Sequence, residues 1–170
     1  GLQQEAQPLG TLLQDSVDHA YALSRRLWTS DRDGGEGVID LEQLVRQASG
    51  QSAIPIQLEV QQNCPACSAV SMLHIQQIAR EALTNAVKHS GATGIIVTLH
   101  CTPDTGIRLE VSDNGCGITT TKGIGGGLGI GMMEYRATQI NARFEITDTT
   151  EGGTAVVCTA PCAGATISTL

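Results

Sequence analysis

The sequence predicts an α+β fold: a two-layer sandwich with helices on one face of a mixed sheet of about five strands, preceded by a helical segment. Three observations carry this expectation. Strand-like segments gather toward the C-terminal end and are mostly joined as hairpins, unlike the regular strand–helix alternation of a doubly wound fold. Long apolar stripes at three- and four-residue steps mark the helices. The 170 residues are 41 % apolar but only 2 % aromatic, so a single core of ordinary size is expected, built from Leu, Ile, Val and Ala.

The elements follow in order. Residues 8–30 read as a helix, with Leu9, Leu12, Leu13, Val17, Ala20, Leu23 and Leu27 on one stripe. DRDGGEG, Asp31 to Gly37, breaks it. Asp40 reads as the cap of a second helix through Leu41, Leu44, Val45 and Ala48. IPIQLEV, Ile54 to Val60, alternates apolar and polar residues and reads as a strand. A third helix is expected from Ser71 to Ser90. Strands Gly94–Cys101 and Ile107–Asp113 follow, joined through PDTG. KGIGGGLGIGMM, Lys122 to Met133, comes next, with a helix from about Gly129 to Ile140. ARFEITD and TAVVCTA close the chain as strands joined through TTEGG. The expected organisation is a helical lead over 1–48, a compact domain over 49–162 and a tail over 163–170.

Bulk properties exclude some functions. The net charge of −7 argues against a nucleic-acid-binding surface, which needs clustered Lys and Arg. No apolar run approaches the roughly 20 residues that span a bilayer, so no direct membrane contact by this segment is expected. The chain opens on Gly1 and not Met, as a segment cut from a longer protein does. A cytoplasmic location is expected for it, compatible with a membrane anchor elsewhere in the parent. Of the six cysteines, Cys64 and Cys67 have the CxxC spacing of a redox or zinc half-site, or are reduced thiols in a loop. Cys158 and Cys162 form CxxxC, not a second CxxC. The cysteines outside the CxxC pair read as small hydrophobes.

Three stretches carry candidate chemistry. In HIQQIAREALTNAVKHS, His74 to Ser90, one face is apolar and Glu81, Asn85, Lys88 and His89 lie on the other. Glu81 and Asn85 are four residues apart, so their side chains share one place. A carboxylate beside an amide oxygen suits Mg²⁺, and Lys88 and His89 add positive charge for phosphate; a solvated charged face gives the same pattern. In IRLEVSDNGCGI, Asp113 falls in register with Ile107, Leu109 and Val111, so a carboxylate points where core is expected. Such a group needs donors. An adenine amino group is one, and Gly115 and Gly117 let a flat ring approach the backbone; Asp-Asn-Gly is equally a hairpin turn. The third stretch holds six glycines in the nine positions Gly123 to Gly131. It lacks both the P-loop and the dinucleotide fingerprint. Gly125, Gly127 and Gly129 suit either a lid whose N–H groups meet phosphate, ahead of a helix N-terminus, or a plain surface loop.

Taken in order, E-x-x-x-N on a helix, D-x-G-x-G after a strand, G-x-G-L-G and a late Gly-Gly-Thr resemble the GHKL superfamily of ATPases with the Bergerat nucleotide-binding fold. The resemblance covers residues 52–162. REALTNAVKHSGA, DNGCGI, GGGLGIGMMEYRA and EGGTAVVCTAP are most similar to the boxes of sensor histidine kinases that signal to NarL-type response regulators. The group often has a histidine at the position of Gly126.

The resemblance implies the ATP-binding kinase domain of a two-component sensor kinase, with ATP and Mg²⁺ as cofactors. Asn85 would ligate Mg²⁺, and Glu81 would be the acid–base residue beside it, reaching the metal through water. Lys88 and His89 would lie near the phosphates. Asp113 would read the adenine amino group, with Gly115, Gly117 and Ile118 shaping the pocket. Gly125, Gly127, Leu128 and Gly129 would form the lid, and Thr154 would support the pocket floor. The implied partners are a response regulator and a second copy of the chain, joined through an upstream helical hairpin. The 1–48 lead would be the end of that hairpin. The group's phosphoacceptor is usually preceded by an acidic-Leu pair and followed by an acidic residue, whereas His19 is preceded by Val17-Asp18 and followed by Ala20-Tyr21, so this segment is expected to lack its own acceptor histidine. An anti-sigma-factor-type serine kinase and a non-catalytic module of the same fold are the alternatives.

Overall fold

The computed structural model describes residues 36–62, 68–102, 105–118 and 128–162, all within the unit Gly35–Leu170. Its elements are α1 (Glu36–Gln51), β1 (Ile56–Gln62), α2 (Ala69–His89), β2 (Ile95–Thr102), β3 (Gly106–Asp113), α3 (Leu128–Gln139), β4 (Arg143–Asp148) and β5 (Thr154–Ala160). No helix among the described residues is long and apolar enough to cross a membrane.

The strands form one five-stranded sheet in the order β1-β2-β3-β5-β4. β1 runs parallel to β2 and every other pairing is antiparallel. The sheet is therefore mixed, with α2 as the crossover of its one parallel pair. Period-two alternation decides which face is covered. Ile95, Val97, Leu99 and Cys101 of β2 and Ile107, Leu109 and Val111 of β3 are buried, as are Val156, Cys158 and Ala160 of β5. They share one core with Leu41 and Val45 of α1, the apolar stripe of α2, and Met133 and Ala137 of α3. The opposite face carries Ile96, His100 and the pairs Arg108–Glu110 and Arg143–Glu145. Such exposed pairs contribute little to stability.

The ends of α2 are defined by serines. Ser68 Oγ accepts a hydrogen bond from Ser71 N at 3.0 Å, capping the start. Met72, Ile75, Ile78, Ala79, Ala82, Leu83 and Ala86 then form the buried stripe. Ser90 ends the helix, and its hydroxyl donates to Ala86 O at 2.6 Å. α3 closes with Asn141 in the left-handed region (φ 52°), and Ala142 N returns to Ala137 O at 2.8 Å, a Schellman-type stop.

Two boundaries differ from expectation. Asp40 lies inside α1 and does not cap it, because the helix starts at Glu36 and so has begun a turn before Asp40. The compact unit spans Gly35–Leu170, and α1 contributes Leu41 and Val45 to its core. β1 starts after Pro55, which has no N–H to give the ladder, although its carbonyl still accepts from Ile95 N at 3.0 Å. The buried Cys101, Cys158 and Cys162 act as core residues, whereas Cys116 is exposed. The expected helix over 8–30, the Cys64/Cys67 pair, His19 and the tail over 163–170 lie outside the described residues.

Candidate functional site

The register of β3 sends Asp113 to the same face as Ile107, Leu109 and Val111, where it is 8 % exposed. Its carboxylate is supplied with donors from two directions. Oδ1 accepts from Gly115 N at 2.8 Å and from Thr154 N at 3.3 Å, at the start of β5. No hydrogen bond reaches Oδ2 among the described residues.

The turn after β3 is tied to the end of α2. Cys116 N donates to Ser90 O at 2.8 Å. Gly115 lies so close to the Ser90 carbonyl that a Cβ has no room there. Asn114 adds a second tie: its Oδ1 accepts from Thr93 N at 2.9 Å and Gly94 N at 3.0 Å, and its Nδ2 donates to Thr93 Oγ1 at 3.0 Å. The strand end bearing Asp113 thus meets the end of the helix that bears Glu81 and Asn85. The β4–β5 hairpin closes the other side. Gly153 abuts the Asp113 carbonyl, and Gly117 (φ +74°) sits against Gly152 O and Asp148 Oδ1. Ile118 N donates to Asp148 Oδ1 at 2.8 Å.

Glu81 and Asn85 are half-buried on α2, and Lys88 and His89 are exposed in its last turn. Lys88 also lines a groove of about 210 Å³ between α2 and α1, whose far wall includes Leu44 and Ala48. Gly129, in the first turn of α3, lies directly against the Glu81 carboxylate. That carboxylate sits at the positive end of α3, where negative charge is favoured. Among the described residues no three His, Cys, Asp or Glu side chains cluster as a metal site. The oxygen donors Glu81 and Asn85 suit an ion that takes few protein ligands and fills its shell with water and phosphate, as Mg²⁺ does.

The structure therefore groups Asp113, Gly115 and Thr154 through hydrogen bonds, and Glu81 with Gly129 through contact. Gly125 and Gly127 lie outside the described residues, as does the side chain of Leu128. Sequence reasoning missed Ser90, Asn114 and Asp148. Asn114 stood in view within Asp-Asn-Gly, where an Asx side chain is a known backbone acceptor; for Asp148 no local signal exists.

Residues 71–164, more than half of the chain, match the family described as "Histidine kinase-, DNA gyrase B-, and HSP90-like ATPase". The chain belongs to this family. Among its curated relatives, the nitrate/nitrite sensor protein NarX of Escherichia coli K12 is 34 % identical over 119 residues, 70 % of this chain and 20 % of NarX. The sensor protein VraS of Staphylococcus aureus is 29 % identical over 94 % of this chain and 45 % of its own length. The chain thus spans a fifth to less than half of these relatives. Solved structures share the fold. Full-length ShkA in complex with AMPPNP superposes with a TM-score of 0.63 at 21 % identity, covering 90 % of this chain and 38 % of ShkA. The ATP-binding domain of PrrB from Mycobacterium tuberculosis gives 0.53 at 21 %, covering 73 % and 92 %. The relatives named here are sensor proteins, and the mixed α+β sheet of this chain is the one the sequence predicts.

Proposed function

We propose that this domain binds Mg-ATP between Asp113 and the Glu81–Asn85 face of α2, and serves as the catalytic domain of a two-component sensor kinase. The buried Asp113 carboxylate carries the reading. Two backbone donors hold its Oδ1, and Oδ2 faces no donor among the described residues. A purine amino group supplies the missing donor, and a site built to hydrogen-bond such a group rejects rings that lack it.

The remaining roles follow from the resemblance of these motifs to the family's boxes. Gly115, Gly117 and Ile118 shape the purine pocket, with Thr154 at its floor. Asn85 would hold Mg²⁺, with Glu81 beside it as acid–base residue, and Lys88 and His89 offer positive charge to phosphate. Gly125, Gly127, Leu128 and Gly129 form the lid. Bound Mg-ATP supplies the γ-phosphoryl group, whose transfer depends mainly on positioning and charge neutralisation. The acceptor is a histidine on a helical dimerisation hairpin of a homodimer, and the final recipient is a NarL-type response regulator. The names of NarX and VraS as sensor proteins support this assignment.

The test is phosphotransfer. The chain is incubated with γ-labelled ATP, Mg²⁺ and a dimerisation hairpin carrying an acceptor histidine. Acid-labile label on the hairpin is expected. Acid-stable label on serine, or no label despite nucleotide binding, contradicts the kinase assignment.

A further inference from the structure

We propose that Asp148 is a positioning residue for the purine pocket, holding the Gly117–Ile118 backbone by accepting the Ile118 N–H. This rests on the nucleotide-binding reading above and adds to it a residue from outside the motifs that carry that reading.

The β4–β5 hairpin braces the Asp113–Ile118 turn at both ends. At the Asp113 end, Thr154 N donates to the carboxylate and Gly153 packs on the carbonyl. At the far end Asp148 Oδ1 accepts from Ile118 N at 2.8 Å. Gly117 is held in the left-handed region between these points, with Asp148 Oδ1 and Gly152 O so close that a side chain there would collide.

Asp148 is not needed to close its own hairpin. Thr149 does that: its N donates to Gly153 O at 2.7 Å, its carbonyl accepts from Gly152 N at 3.0 Å, and its Oγ1 accepts from Gly153 N at 2.9 Å. The Asp148 side chain instead reaches a residue 30 positions away in the chain. Its contribution is an acceptor oxygen in a fixed place. Asparagine offers the same oxygen without the charge, so Asp148→Asn preserves the function and Asp148→Ala removes it.

The experiment uses the full chain and two readouts. Hydrogen exchange of the Ile118 amide is followed by NMR without nucleotide, and Mg-ADP affinity is measured by calorimetry. Asp148→Ala is expected to speed Ile118 exchange and raise the Mg-ADP Kd by about fivefold or more, the scale of one lost hydrogen bond. Asp148→Asn is expected to return both to within about twofold of wild type. An Ala variant that matches wild type in both readouts overturns the proposal. So does one that loosens Ile118 yet binds Mg-ADP normally, or an Asn variant as impaired as Ala. A wild-type chain that binds no nucleotide defeats the nucleotide reading itself; normal wild-type affinity with an unaffected Ala variant defeats only the role of Asp148.

Discussion

Gly129 carries no side chain at the point where Glu81 sets its carboxylate. Alanine at 129 has to displace that carboxylate, although alanine suits a helix better than glycine by about 1 kcal/mol. Gly129→Ala therefore separates the two effects. The melting temperature is expected to hold or rise. The rate of phosphotransfer is expected to fall about tenfold or more, since small misplacements of a catalytic group are costly. Single-turnover transfer beside a thermal melt checks this.

The Asn114 side chain joins the turn after β3 to residues that precede β2 through three hydrogen bonds. Asn114→Ala leaves the Thr93 and Gly94 N–H groups without that acceptor and should cost about 2–3 kcal/mol. Asn114→Asp keeps the acceptor oxygen, loses only the Nδ2 donor and should cost about 1 kcal/mol. Urea unfolding measures both, with the m-value expected unchanged.

Burial pushes the Cys158 thiol from 9.0 up to about 12. The unfolded thiol ionises first, so the unfolded state holds fewer protons than the folded state between those values. Its share of stability is full below about pH 9 and is lost as pH rises toward about 12. Cys158→Ala removes that slope, read as a shallower alkaline decline of the unfolding free energy than in wild type. In the native chain near pH 8, a disulfide reagent should label the exposed Cys116 quickly and Cys158 only on unfolding.

What the sequence reveals of this site is what lies on single elements. The α2 stripe is periodic, so the opposite placement of Glu81 and Asn85 is legible from spacing alone. Asp113 stands out because strand alternation puts a carboxylate where an aliphatic residue is expected. The ties between elements are not legible. Asn114 reaches back 21 residues to Thr93, and Asp148 meets Ile118 from 30 residues away, on a hairpin that joins β3 through β5. Neither distance nor strand order is encoded in a local pattern. The start of α1 was similarly hidden, because Gly37 reads as a breaker while tertiary packing of Leu41 and Val45 carries the helix through it.

Calorimetric titration of Mg-ATP into the wild-type chain and Asp113→Ala tests the central claim most directly. Saturable binding by wild type is predicted, with affinity lost by at least about tenfold in the variant, because the purine amino group then has no acceptor. A thermal melt shows whether the variant stays folded. A folded Asp113→Ala chain that binds Mg-ATP as tightly as wild type, or a wild-type chain silent at millimolar nucleotide, contradicts the account.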